Sequence, residues 1–170
     1  MTTNFNKVVD FNVQYGIIPS KDLTPNPDIF DNQIEIKSCL KLIKEETEEL
    51  YDAVNNRDYV EAIDAIADLL YVTYGMGARL GMDMDAAFSL VHDNNMTKFC
   101  VSEENAQASV KYYEENMDKL GYKFPKYKKA PDDVHWVVYD EKPYKVLKSI
   151  SWEKVDLKDI CKKKLIIEKE

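Results

Sequence analysis

Five carboxylates of this chain have the spacing that a helix-borne metal site requires. Glu45, Glu46 and Glu49 belong to the run EETEE, and Asp64 and Asp68 belong to the run IDAIAD. Helical residues three or four positions apart share one face, so each group presents its oxygens in one direction. Carboxylate oxygens suit Mg²⁺ and Mn²⁺, whereas zinc favours nitrogen and sulfur. The pattern therefore predicts a Mg²⁺ site, with Mn²⁺ as the alternative ion.

The segment around Asp64 and Asp68 is apolar on nearly every side of the predicted helix. Its apolar residues are Ala62, Ile63, Ala65, Ile66, Ala67, Leu69, Leu70, Tyr71 and Val72. A helix of this composition is expected to be buried. Glu61, Asp64 and Asp68 form a strip roughly 60° wide on it. A buried carboxylate without a counter-charge is unfavourable by several kcal/mol, so a cation is expected against this strip.

The preceding predicted helix adds further acids instead of a counter-charge. Its apolar residues recur at spacings of three and four: Ile36, Leu40, Ile43, Leu50 and Val54. Glu46 lies at the edge of this stripe, with Glu49 and Glu45 further round. Because the connection at residues 55–57 is short, the two helices are expected to be antiparallel neighbours. Their acids should then converge in a dry crevice, without Lys or Arg among them.

Structural alternatives stay open for some of these acids. A run such as EETEEL is often only a solvated helix face, and Glu48 is interpreted in this way. Asp58 and Glu61 have the spacing of a capping box, which favours a structural role for Glu61. Asp64 and Asp68 lie in mid-helix, where Asp is a poor helix former. No capping role explains that pair.

Length and composition exclude several classes of function. A chain of 170 residues is long enough for a substantial core, and a net charge of −8 argues against nucleic acid as a partner. No apolar run approaches the roughly 20 residues that span a bilayer, and the N-terminus lacks the features of a signal peptide. Three widely spaced cysteines and two histidines predict neither a disulfide framework nor a zinc site. We expect a cytoplasmic protein without a membrane partner.

Helical periodicity dominates the first part of the chain. Helices are predicted over residues 3–15, 32–55, 59–80, 83–99 and 102–121, with a proline-containing loop at 18–28 and a β-hairpin around 140–143. The predicted fold class is all-α, a four-helix bundle core with a small C-terminal hairpin. The predicted domains are 1–125 and 126–170, the latter packed on the former. A helix that is apolar all round needs more partners than one chain supplies, which predicts a homodimer or homotetramer.

These motifs resemble the all-α nucleoside triphosphate pyrophosphohydrolases, the superfamily of MazG, the dimeric dUTPases and phosphoribosyl-ATP pyrophosphohydrolase. The resemblance rests on E-E-x-x-E at residues 45–49, on the segment DAIADLLYVTYG, and on the ending H-x-x-N-M-[ST]-K at residues 92–98. It covers residues 34–100 well and 134–150 loosely. It implies a MazG-like bundle and Mg²⁺-dependent hydrolysis of a (deoxy)nucleoside triphosphate to the monophosphate and pyrophosphate.

The resemblance also implies roles for individual acids. Glu45, Glu46, Glu49 and Asp68 match the metal-binding acids of the superfamily. With Asp64 as a substitute, the metal ligands would be Glu46, Glu49, Asp64 and Asp68, and the residue that activates the attacking water would be Glu45 or Glu46. The second acidic motif of the superfamily is E-x-x-D, and Ala65 stands at its Glu position. Asp64 is the nearest replacement. This departure leaves the number of metal ions open.

Substrate contacts are implied at the end of the fourth helix. Asn95 and Lys98 match the positions that contact substrate phosphates, and a structural alternative for Lys98 is a cation at a helix C-terminus. Lys145 and Lys148 of the hairpin could reach a phosphate, but the sequence favours their interpretation as solvated strand lysines. Alternative functions are phosphoribosyl-ATP or dUTP pyrophosphohydrolase, or a non-catalytic helical module that binds metal or nucleotide.

Overall fold

The computed structural model describes residues 2–142, 144–158 and 160, and its helices precede its strands along the chain. In chain order the elements are α1 Asn4–Gln14, a 3₁₀ helix Pro27–Asp31, α2 Gln33–Asn56, α3 Tyr59–Arg79, α4 Met84–Met96, α5 Glu103–Glu115, α6 Met117–Leu120, β1 Pro125–Lys129, β2 Trp136–Asp140 and β3 Lys145–Leu147. This arrangement confirms the predicted fold class. Pro143 of the predicted hairpin turn and residues 161–170 of the tail lie outside the described residues.

Side-chain caps determine where three of the long helices begin. Asn32, Asp58 and Asp83 each accept a hydrogen bond from the backbone N–H three residues further on, at 3.2, 3.1 and 3.0 Å. Such bonds satisfy N–H groups that have no partner within the helix. After α3, Gly81 has a φ of 68°, and a Cβ there would overlap the carbonyl group of Thr24. The predicted starts of these helices are confirmed, and α3 ends within one residue of the predicted end at residue 80.

Contacts divide the chain inside α4, between Phe88 and Ser89. The helical unit comprises the described residues up to Phe88 and those from Leu157 onwards, and the sheet unit comprises Ser89–Asp156. α5 groups with the strands because it packs on β1 and β2. The domain boundary at residue 125, which was inferred from the change in sequence character, stays a prediction.

In the helical unit, α2 packs along α3, and α1 packs on α3. A small core is formed by the buried side chains Phe5, Val9, Ile18 and Ala78. Arg79 at the end of α3 forms an ion pair with Glu35 at the start of α2, with 3.1 Å between Nη1 and Oε1. This pair joins the two open ends of the hairpin, since Glu35 and Arg79 lie far from the turn.

The sheet unit is built on three antiparallel strands in the order β1-β2-β3. Val138 of the central strand lies opposite Tyr127 of β1 and Leu147 of β3. The sequence predicted only the β2–β3 hairpin, and β1 was missed. Four of the five residues of β1, PKYKK, are proline or lysine, which are typical of an edge strand and weaken the apolar signal.

The predicted burial of several apolar side chains is wrong for the single chain. Ile63, Ile66 and Leu70 of α3 are 52%, 48% and 54% exposed, and Phe88 and Val91 of α4 are also exposed. The physical reason for α3 is that α2 and α1 cover only part of its circumference. Among the described residues, no helix has both the length and the apolar composition required to cross a membrane.

Candidate metal centre

The α2–α3 hairpin brings the five predicted acids together around Glu46. The pKa of Glu46 lies above its ordinary value, first because the protein removes water from its carboxylate and then because other carboxylates lie nearby. These neighbours, in order of decreasing effect, are Glu49, Asp68, Glu45 and Asp64. Two neighbours belong to α2 and two to α3. Negative charge from both helices therefore converges on one side chain.

The acids are more exposed than the sequence predicted. Glu45 and Glu46 are half-buried, whereas Glu49, Asp64 and Asp68 are exposed. The expected dry crevice is wrong for the single chain, because no described segment covers this face of the hairpin. Among the described residues, no three His, Cys, Asp or Glu side chains are arranged to hold a metal ion as they stand.

Two of the glutamates in α2 have lysine partners one turn away. Lys41 Nζ lies 3.1 Å from Glu45 Oε1, so the prediction that no lysine lies among the acids is wrong for Glu45. Lys44 pairs in the same way with Glu48 at 3.3 Å, and both side chains are exposed. Within the described part of the chain, the other four predicted site acids have no ion pair with Lys, Arg or His. The described residues therefore provide these four carboxylates with no counter-ion.

Ala65, at the usual Glu position, points in a different direction from Asp64. Ala65 is buried, while Asp64 beside it is exposed. Consecutive helical residues point about 100° apart, so Asp64 cannot project in the direction of Ala65. Consistent with this, Asp64 is the weakest of the four acidic influences on the pKa of Glu46. The structure therefore ranks Asp64 below Asp68 as a contributor to the cluster.

The acidic face continues towards the turn of the hairpin. A cleft of about 440 Å³ is lined by Glu49, Asp52, Ala53, Asn56, Asp58 and Glu61. Asp52 was not singled out from the sequence, although its spacing of three residues from Glu49 places both on one helix face. The cleft extends the negative surface beyond the predicted ligands.

Glu61 completes only half of the predicted capping box. Its backbone N–H donates to the Asp58 side chain at 3.1 Å. The second hydrogen bond of a capping box would run from the Asp58 N–H to the Glu61 side chain. The Asp58 N–H donates instead to the Ala53 carbonyl, at 2.9 Å. The Glu61 carboxylate is therefore exposed at the cleft and does not cap the helix.

The predicted substrate-binding residues belong to the sheet unit. Asn95 is exposed in the last turn of α4, and Lys98 lies two residues beyond the end of that helix. The Lys98 N–H donates to the Asn95 carbonyl at 3.1 Å, and the Lys98 carbonyl accepts from the Ser149 N–H at 3.0 Å. Lys98 is thus anchored in a turn and not on the helix face that the sequence predicted.

Comparison with known proteins finds similarity in the helical region. Residues 17–95 match the family PRA-PH, phosphoribosyl-ATP pyrophosphohydrolase. The protein named Uncharacterized protein L479 of Acanthamoeba polyphaga mimivirus is 41% identical over 83 residues, which is 49% of this chain and 33% of that protein. The chain therefore spans about a third of the length of this relative.

The family match confirms the resemblance to the MazG-like nucleoside triphosphate pyrophosphohydrolases over the matched residues. These include all of α2 and α3 and nearly all of α4, and hence the five acids and Asn95. Lys98, α5 and the three strands lie outside the match.

Proposed function

Since residues 17–95 match a family of pyrophosphohydrolases, we propose that this protein hydrolyses a (deoxy)nucleoside triphosphate between the α and β phosphorus atoms, giving the monophosphate and pyrophosphate. The family match supports the coarser part of the proposal, pyrophosphohydrolase action on a nucleotide. The observation that carries it is the convergence of carboxylates from α2 and α3 on Glu46.

The chemistry of these side chains fits Mg²⁺, with Mn²⁺ as the alternative. Glu46, Glu49 and Asp68 would hold the ion and Asp64 would assist, because hard cations prefer carboxylate oxygens. The ligands are not preassembled, but exposed side chains change rotamer within nanoseconds and could close on an ion. When bound, the ion would polarise the phosphates and lower the pKa of a water molecule.

The remaining chemistry falls to side chains of this chain. Glu45 or Glu46 would orient the attacking water and accept its proton. Glu46 fits this role better, because Glu45 is already paired with Lys41. Asn95 would donate from its amide to a phosphate oxygen, and Lys98 would place a compact positive charge beside another. Neutralising the charge on the phosphates is where most catalysis of phosphoryl transfer arises.

A homodimer or homotetramer is part of the proposal. The exposed apolar side chains of α3, Ile63, Ile66 and Leu70, form the kind of patch that marks a protein–protein interface. A second copy covering α3 would also exclude water from the neighbouring acids. Light scattering coupled to size-exclusion chromatography tests this, and a monodisperse monomer at micromolar concentration would contradict it.

Two observations favour alternatives. The matched family is named for phosphoribosyl-ATP, so that compound belongs in any substrate screen beside dUTP. The buried Ala65 at the usual Glu position favours a non-catalytic module that binds metal or nucleotide. Such a module would be stabilised by Mg²⁺ but would release no pyrophosphate.

The deciding experiment is a screen of ribo- and deoxynucleoside triphosphates with Mg²⁺, in which monophosphate and pyrophosphate are both measured. Glu49→Ala should abolish pyrophosphate release. Glu48→Ala is the matched control, because Glu48 lies on the same helix and pairs with Lys44 away from the cluster. Turnover that survives Glu49→Ala would contradict the proposed site, and the absence of product from every nucleotide would contradict the proposed activity.

A further inference from the structure

The sheet unit contains a cavity of about 400 Å³ whose lining is basic and aromatic. It combines three lysines with three tyrosines: Lys98, Lys145, Lys148, Tyr112, Tyr113 and Tyr122. Its described lining includes no Asp or Glu. The volume lies in the range of small-molecule sites, which are typically apolar with a few convergent polar groups. This composition is the opposite of the acidic cleft beside Glu49.

The lysine charges at this cavity have no carboxylate partner among the described residues. In the described part of the chain, none of the three lysines forms an ion pair with Asp or Glu. Asp140 lies opposite Lys145 in the strand register, but its carboxylate accepts hydrogen bonds from the Lys123 and Phe124 N–H groups. Like charges gathered around one concavity attract an anion and raise its local concentration.

The backbone around the cavity is held in place by hydrogen bonds. The Tyr113 hydroxyl donates to the Lys148 carbonyl at 3.0 Å and accepts from the Lys148 N–H at 3.2 Å, which ties α5 to the end of β3. The Ser149 N–H donates to the Lys98 carbonyl, which ties the same segment to the turn after α4. A site positioned in this way loses little freedom when a ligand binds.

Tyrosine rings supply the surface for a flat ligand. Tyr112 is 47% exposed and meets the buried Tyr113 edge to face, with 5.4 Å between ring centroids. Tyr122 contacts Tyr113 in the same geometry on another side. The Lys145 ammonium lies 5.2 Å from the Tyr122 centroid, so a positive charge and an aromatic face are adjacent. Stacking of a base on such a ring is typical of nucleotide recognition.

We propose that this cavity binds the phosphates and base of a nucleotide, with Lys98 and Lys145 contacting the phosphates and Tyr112 stacking on the base. The identity of the ligand as a nucleotide rests on the proposed function. Lys148 contributes less, because its ammonium lies 3.5 Å from the Trp152 ring centroid. The alternative to this proposal is that Lys145 and Lys148 are only solvated lysines. These residues lie outside the segment that matches the family.

The test is calorimetric titration of the full chain with ATP in EDTA, where the acid cluster has no metal to hold the nucleotide. Lys145→Gln should weaken ATP binding by about tenfold, the effect of losing one charge-assisted contact. Lys128→Gln is the matched control, because Lys128 lies on β1 outside the cavity and contacts Tyr139 and Tyr144. Circular dichroism verifies that both variants are folded. Equal affinities for the two variants would overturn the proposal.

A second titration separates the phosphate contacts from the base contact. Inorganic triphosphate should lose affinity in Lys145→Gln but not in Tyr112→Leu, whereas ATP should lose affinity in both. Unchanged ATP binding in Tyr112→Leu would overturn the base contact.

Failure of this inference is distinguishable from failure of the proposed activity. If Glu49→Ala abolishes turnover while Lys145→Gln leaves ATP binding in EDTA unchanged, the cavity assignment is wrong and the activity stands. If Lys145→Gln weakens binding although no nucleotide is hydrolysed, the cavity assignment stands and the activity is wrong.

Discussion

Carboxylates in the α2–α3 hairpin and in the sheet unit have pKa values shifted in opposite directions. Glu46 in the hairpin is surrounded by other acids, and its pKa is raised by lost solvent and by their charges. Asp140 in the sheet unit is only 2% exposed, and lost solvent alone would raise its pKa as well. Hydrogen bonds from several backbone N–H groups, including those of Lys123 and Phe124, outweigh that loss and hold its pKa below the ordinary value.

The difference separates a carboxylate that the fold itself supplies with donors from carboxylates that lie close to one another. Asp140 has donors supplied by the fold itself, so it stabilises the sheet unit without any external group. Among the described residues, Glu46, Glu49, Asp64 and Asp68 form no ion pair with Lys, Arg or His, so their mutual repulsion is expected to destabilise the hairpin. The lysines of the sheet-unit cavity are the complementary case, because within the part of the chain that the structure describes they gather positive charge without a carboxylate partner.

The largest expected effect tests the hairpin as a ligand site. Asp68→Ala should lower Mg²⁺-dependent pyrophosphate release by a hundredfold or more, roughly the loss that follows removal of a strong electrostatic contact in an active site. The helices should stay folded, since Asp68 is exposed and has no cation partner among the described residues. Release measured at saturating nucleotide over a range of Mg²⁺ concentrations checks this. Near-normal turnover would remove the hairpin from the mechanism.

The contrast with Asp140 predicts a stability effect of opposite sign in the two regions. Asp140→Asn should lower the unfolding temperature, because an amide cannot accept all the N–H groups that the carboxylate accepts. Asp68→Asn, measured in EDTA at pH 7, should leave the unfolding temperature unchanged or raise it, because the substitution removes repulsion between carboxylates. Asn and Asp have similar helix propensities, so a change in propensity would not explain a rise. Thermal unfolding followed by circular dichroism measures both variants. A stabilising Asp140→Asn would break the comparison.

The pH dependence of the Asp140 effect follows from the direction of its pKa. A carboxyl whose pKa is lower in the folded state binds fewer protons there than when unfolded, so its contribution is complete above the unfolded value. The stability that Asp140 contributes is lost as the pH falls below about 4, the ordinary pKa of Asp, and then through its lower pKa in the folded state. The gap between wild type and Asp140→Asn should therefore narrow with acidification from pH 5. A gap that widens would contradict the assigned role.

The smallest expected effect on turnover tests whether Asp64 contributes less than Asp68 to the acid cluster. Asp64→Ala should lower turnover by about tenfold or less, since Asp64 points away from the direction of Ala65 and has the weakest influence on Glu46. The same assay and Mg²⁺ range as for Asp68→Ala permit direct comparison. Equal losses in the two variants would show that Asp64 is a full ligand.

Sequence reasoning was most successful where the interactions are local. The caps at Asn32, Asp58 and Asp83 act over three residues, so their spacing alone predicts where the helices begin. The acids of the two long helices share faces because the helical repeat requires it. The clustering of negative charge around Glu46 needed only these two helices and the short turn between them.

Only the tertiary structure decided which charges find partners. Asp140 receives donors from residues 16 and 17 positions earlier in the chain. Lys145 shares a cavity with Lys98, and the Ser149–Lys98 backbone hydrogen bond ties the two segments together. The exposure of α3 likewise depends on which segments pack around it. Helix periodicity and capping are properties of neighbouring residues. Burial and charge compensation depend on contacts between distant segments, which no local pattern contains.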